Sequence, residues 1–170
     1  MADEIVNRIA RSPLVTLDLE DFYQEGTRSV FDLKECLHEG IILREKDFRD
    51  FVKKKDWTVF KDQHVGVICS VDAIIPYWAY MLIASKLSGI AKTIILGDLQ
   101  TLEDRLIIDS IRKMDLQQFE GKKIIIKGCG KLGLSEAAYV EVTNLLVPHA
   151  QSIMYGEPCS TVPVYKKMPV

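Results

Sequence analysis

The stretch Lys122-Lys123-Ile124-Ile125-Ile126-Lys127-Gly128-Cys129-Gly130 decides the fold. Three consecutive isoleucines between lysines, cut off by glycine, read as a strand covered on both faces. A half-exposed strand would instead alternate apolar with polar residues. Strands of that kind belong to parallel sheets, in which crossover helices cover both sides.

Working outward, a helix follows the glycines: Ser135 stands at its cap, Glu136 in its first turn, and Pro148 just past its end. Residues 150–155 read as the next strand. On the other side, Thr101 opens a helix with Asp104 three residues on and an apolar face of Leu102, Leu106, Ile107, Ile111 and Met114. Residues 92–96 and 64–69 are further strands. The helix between them, residues 75–87, has Pro76 in its first turn and Gly89 as its stop. The pattern predicts an α/β protein, a single domain over residues 1–170. Its mostly parallel four-stranded βαβαβαβ core occupies residues 61–165, and the suggested strand order is 2-1-3-4. Residues 1–60 are expected to form an N-terminal extension, with short strands at 15–19 and 29–33 and a helix over 44–55.

A chain of 170 residues with 48% hydrophobic and 27% charged residues can bury a real core. Its net charge of -2 argues against a nucleic-acid partner, which would call for a basic excess. The one basic run, Lys53-Lys54-Lys55, lies beside Asp50 and Asp56 and reads as the solvated end of a helix. Residues 1–7 are polar and acidic, unlike a signal peptide. The most apolar stretch, residues 73–84, falls short of the roughly 20 residues that span a bilayer. No membrane association is expected, and the location is expected to be cytoplasmic. Tyr77, Trp78 and Tyr80 in that stretch read as packing residues. The four cysteines are then expected to be reduced.

Ligands of an open parallel sheet bind outside the carboxyl ends of its strands. Three of the four predicted strand exits carry a cysteine: Cys69, Cys129 and Cys159. Neighbouring strands lie about 4.8 Å apart, and thiolates sharing a zinc sit about 3.8 Å from one another. Convergence therefore requires loops that curl inward, which Gly130 and Gly156 permit. Zinc or iron is the expected metal, with Asp72, Glu136, Glu157 or His38 as additional ligands. The plainer reading is that the thiols are small buried hydrophobes, as Cys36 is taken to be, since no pair has Cys-x-x-Cys spacing. Position at strand exits favours the sharper reading. Cys129, between two glycines before a helix, is placed to hold a thiolate. A Cys–His pair is disfavoured, because His64 and His149 stand at strand starts.

A second class of chemistry rests on Gly128, Gly130, Gly133 and Ser135, which would cradle a phosphate-containing ligand at the helix start. The third glycine precedes the helix and only one strand follows, so a full dinucleotide fold is absent. A third possibility is a plain protein-interaction module with structural cysteines.

Three segments carry a family resemblance: Cys69-Ser70-Val71-Asp72-Ala73-Ile74-Ile75-Pro76-Tyr77-Trp78-Ala79-Tyr80-Met81, Lys127-Gly128-Cys129-Gly130, and Tyr155-Gly156-Glu157-Pro158-Cys159-Ser160-Thr161-Val162-Pro163-Val164-Tyr165. Together they resemble an uncharacterised bacterial domain-of-unknown-function family, DUF2480-like, over nearly the whole chain. The resemblance implies no activity. It does imply an association with iron–sulfur assembly, and so iron–sulfur assembly proteins as partners; a second copy of the chain is the other partner expected.

Overall fold

The computed structural model describes residues 14–128 and 134–168. In chain order its first elements are β1 (Leu14–Asp18), β2 (Arg28–Asp32), α1 (Glu45–Lys54), β3 (His64–Ile68), α2 (Tyr77–Leu87) and β4 (Thr93–Leu96). There follow α3 (Leu99–Ile111), β5 (Lys123–Lys127), α4 (Glu136–Leu146), β6 (Ser152–Glu157) and β7 (Ser160–Lys166). The fold is α/β, with parallel pairing dominant.

The chain divides into two compact units. One runs from Glu25 to Arg105; the other holds the chain before and after it. In the Glu25–Arg105 unit the sheet order is β2-β3-β4, all parallel. Its core joins Phe31, Phe48, Val65, Val67, Ile83 and Leu87. In the other unit the order is β1-β5-β6-β7, parallel except for the antiparallel β6–β7 pair. There the isoleucine run behaves as its composition requires: Ile124, Ile125 and Ile126 are 0%, 1% and 3% exposed, in a strand flanked by β1 and β6. Helix α4 covers it with Ala138, Val142 and Leu146, a stripe repeating every four residues.

Three expectations are corrected here. The order 2-1-3-4 in one sheet does not hold: β3 and β4 are neighbours, as are β5 and β6, but the two pairs lie in different sheets. The reason lies in residues 1–60, which supply an edge strand to each of the two sheets. β1 pairs in parallel with β5 from Leu14↔Lys123 onward, and β2 with β3 from Arg28↔His64 onward. Each N-terminal strand takes the place that a single sheet would have given to the other pair. Helix α3 begins at Leu99, not Thr101. Asp98 Oδ1 accepts from Thr101 N at 2.9 Å and from Thr101 Oγ1 at 2.7 Å, so the aspartate is the cap. Ser135 does stand at the cap position of α4, but its hydroxyl makes no capping bond. Finally, β7 was not foreseen; its outer edge carries Pro163, a residue tolerated on edge strands because it lacks a backbone donor.

Candidate functional site

The carboxyl ends of both sheets collect polar groups, and each is described within its own unit. In the Glu25–Arg105 unit, Asp32 closes β2 and its Oδ1 accepts from Lys34 N and Ser70 N, each at 3.0 Å. Burial opposes its ionisation, but bonds from Ser70 and Lys34 outweigh burial and hold the carboxyl below its ordinary 3.8. Cys69 follows β3, half-buried, and its thiol donates a hydrogen bond to Val71 O, with Sγ 3.4 Å from that oxygen. Cys36 ends a short 3-10 turn after β2 and is buried; loss of solvent pushes its thiol up to about 12. Asp72 is exposed, and His38 lies 3.5 Å from Glu39.

In the other unit, Asp18 closes β1 and Lys127 closes β5, and they form an ion pair at 2.8 Å. The bond to Lys127 draws the Asp18 carboxyl below its ordinary value, and the same bond raises the lysine. Neither residue stands out in sequence, because the pair exists only through the β1–β5 register. Gly128 is described, and its carbonyl accepts from Tyr139 Oη at 2.7 Å. A Cβ on this glycine would lie 2.8 Å from that hydroxyl oxygen, so a side chain here would have to displace the tyrosine hydroxyl. Ser135 Oγ is buried and finds no hydrogen-bond partner among the described residues. Cys129, Gly130 and Gly133 lie outside the described residues. Glu136 and Glu157 are exposed, and Cys159 is exposed in the tight turn between β6 and β7.

The thiols expected to act together are thus distributed as follows. Cys69 belongs to one unit and Cys159 to the other. Among the described residues, no group of three or more His, Cys, Asp and Glu side chains is arranged to hold a metal ion. No helix among them is long and apolar enough to cross a membrane. His64 and His149 stand at the amino ends of β3 and β6, away from the thiols, and His149 Nδ1 lies 3.0 Å from Glu120 Oε2.

A wide concave feature of the unit that holds α4 is apolar. A groove of about 710 Å³ runs between the outer flank of α4 and the sheet. Glu136, Val140, Thr143 and Asn144, spaced four, three and one apart, form one wall; Ile126, Tyr155 and Val164 form the floor. Tyr139 meets Tyr155 edge to face, with ring centroids 5.7 Å apart. The opening is real: Val140 is 70% and Val164 53% exposed, and Val162 beside them is exposed as well. Its volume falls in the range of sites that bury a ligand. A second apolar surface lies on the other unit, where Ile74, Tyr77 and Met81 follow helical spacing into α2 and are all strongly exposed. Tyr77 is therefore not a packing residue, whereas Trp78 is: it meets Phe48 at 5.6 Å and carries Arg49 over its face.

A family model described as "Protein of unknown function (DUF2480)" matches residues 3–167. No curated protein and no solved structure matches the chain.

Proposed function

For a chain that belongs to this family of proteins of unknown function, we propose a non-catalytic binding module that receives an apolar segment of a partner polypeptide in the α4–β6–β7 groove. The observation that carries this reading is the groove itself: valines and tyrosines line an open channel that bulk water would otherwise have to wet. The outer edge of β7 adjoins it. Among the described residues no strand pairs with that edge, so its backbone groups can receive an added strand, while Val162 and Val164 offer contact to alternate side chains. The free thiols of Cys36, Cys69 and Cys159 suit a reducing, cytoplasmic setting.

Selection from a random peptide library against the full chain tests the proposal. Apolar-alternating peptides should emerge, and Val140→Asp and Val164→Asp, each folded by circular dichroism, should weaken their binding at least about tenfold. Selected peptides that bind both variants unchanged would place the recognition surface elsewhere.

A second reading is a thiolate site for zinc, iron or a sulfur species through Cys69, Cys129 and Cys159, with iron–sulfur assembly proteins as partners. It is favoured by the partial or full exposure of Cys69 and Cys159, against the burial of Cys36. Elemental analysis of protein purified without oxygen decides it. Stoichiometric zinc or iron that falls in Cys129→Ser supports the site, and metal-free protein with an unchanged spectrum removes it.

A further inference from the structure

From the exits of β2 and β3 we infer that Cys36 and Cys69 are a dithiol that closes to an intramolecular disulfide when a low-molecular-weight disulfide oxidises it. The two strands are adjacent and parallel, with Asp32 opposite Ile68. Cys69 is the next residue after Ile68, and Cys36 closes the single 3-10 turn that follows Asp32. Adjacent strands lie about 4.8 Å apart, and a single turn carries Cys36 back over the cluster in which Cys69 packs, so the two thiols are held on neighbouring exits where a disulfide needs Cα atoms within about 4.4–6.8 Å. The Asp32 side chain clasps both exits, accepting from Lys34 N within the turn and from Ser70 N just past Cys69. Both cysteines pack in the same core cluster, and a charge on Cys69 is felt at Cys36.

Unequal exposure orders the steps. Cys69, half-exposed, meets the oxidant first. Its thiolate attacks one sulfur of the small disulfide; the S–S bond of the oxidant breaks, one thiolate leaves, and a mixed disulfide remains on Cys69. The Cys36 sulfur then attacks Cys69 Sγ. The second small thiol leaves with the proton that Cys36 gives up, and the Cys36–Cys69 bond forms. In total two cysteine thiols lose two electrons and two protons, and the oxidant becomes two thiols. Burial holds the Cys36 proton tightly, so the second step is the slow one, and its rate should climb about tenfold per pH unit above neutrality.

The experiment treats the full-length reduced protein with oxidised glutathione at pH 7 and pH 9, blocks free thiols, and maps peptides without reduction. The expected product is a cross-linked pair holding Cys36 and Cys69, two hydrogens lighter than the reduced peptides and faster to appear at pH 9. Cys69→Ser should abolish it, and Cys129→Ser/Cys159→Ser should leave it intact. Should Cys36→Ser fail to fold, the Cys69→Ser result and the mapped wild-type peptide still decide. Glutathione stably attached to Cys69 at pH 9 with Cys36 still reduced, or a cross-link joining Cys69 to Cys129 or Cys159 instead, would overturn the inference.

Discussion

Lys55 shows how far a residue's setting can depart from its neighbours in sequence. It ends α1 within a basic run, yet its Nζ lies 5.5 to 6.0 Å from the ring centroids of Phe31, Phe51, Trp57 and Phe60. The rings come from β2, α1 and the segment after it, so no local pattern could announce the cage; the reading of the run as a solvated helix end holds for exposed Lys53 and Lys54 and fails for Lys55. A cation over several aromatic faces is stabilised by their quadrupoles. Lys55→Met keeps the alkyl stem and removes the charge, and should lower the unfolding free energy by about 1 kcal/mol in urea titration. A variant as stable as the parent would mean that the stem alone matters. His64 is a second such case. It is fully buried, with Nδ1 3.1 Å from Thr93 Oγ1 and Nε2 3.2 Å from Glu25 O. A Cβ at Gly26 would lie 2.9 Å from Nε2, so glycine is required there for packing. Burial is the main cause that lowers its pKa below the ordinary 6.5; the Glu25 carbonyl and Glu103 oppose it, while Arg28 and Lys92 add to it. The unfolded chain therefore binds this proton more readily than the folded one. The stability that His64 contributes is complete above about 6.5 and is lost as pH falls below it. Thermal midpoints measured from pH 7.5 to 5 should decline, and the decline should be shallower in His64→Gln. Parallel slopes in the two proteins would assign the acid sensitivity to other groups.

At the scale of elements, β3 and β5 are the two strands buried along nearly their whole length, and both were legible. Runs such as Val65-Gly66-Val67 and Ile124-Ile125-Ile126 carry their burial in their composition. Helices α2, α3 and α4 were legible for a similar reason, through spacing and stop signals. Pairing was not. Which strand lies beside which is set by contacts between distant segments, and β1 and β2 were separable from the main sheets only on paper. β7 was hidden because exposure of Val162, Pro163 and Val164 in succession breaks the alternation that marks a half-buried strand. The groove was hidden with it, since it exists only where α4 stops covering the sheet. Cys69 and Cys159 were legible as strand-exit residues, but Cys159 proved to sit in a hairpin turn, and Cys36, taken as filler, lies beside an exit where two thiols share a core. Gly66 shows a close approach that only the pairing reveals. A Cβ there would collide with the carbonyl oxygen of Gly97, where the chain bends away from β4 and Gly97 N bonds to Val67 O at 3.0 Å. Gly66→Ala is expected to cost about 2 kcal/mol or more, because backbone rather than a pliant side chain must yield. A urea midpoint unchanged by this substitution would show that the β4 exit can shift freely.

At the scale of the whole chain, the two units differ in how far apart their partners lie in sequence. In the Glu25–Arg105 unit, β2 meets β3 by joining Arg28 to His64, and β3 meets β4 by joining His64 to Thr93. The other unit closes its β5–β6 pair over a similar span, but β1 reaches β5 only by joining Leu14 to Lys123. Closing a longer loop costs more entropy before any contact rewards it, and pairings distant in sequence are formed later on average. The Glu25–Arg105 unit should accordingly order first and the β1 ladder last. Two probes separate them. Both tryptophans of the chain, Trp57 and Trp78, lie in the earlier unit, so their fluorescence reports that unit alone. Amide protection in β1, read by pulsed hydrogen exchange during refolding from urea, reports the late ladder. Fluorescence should recover before the amides of residues 15–18 become protected, while those of residues 65–67 should track the fluorescence. Protection of β1 in step with the tryptophan signal would mean that the chain's long-range closure is already made when its local sheet forms, and that loop entropy does not order the folding of this protein.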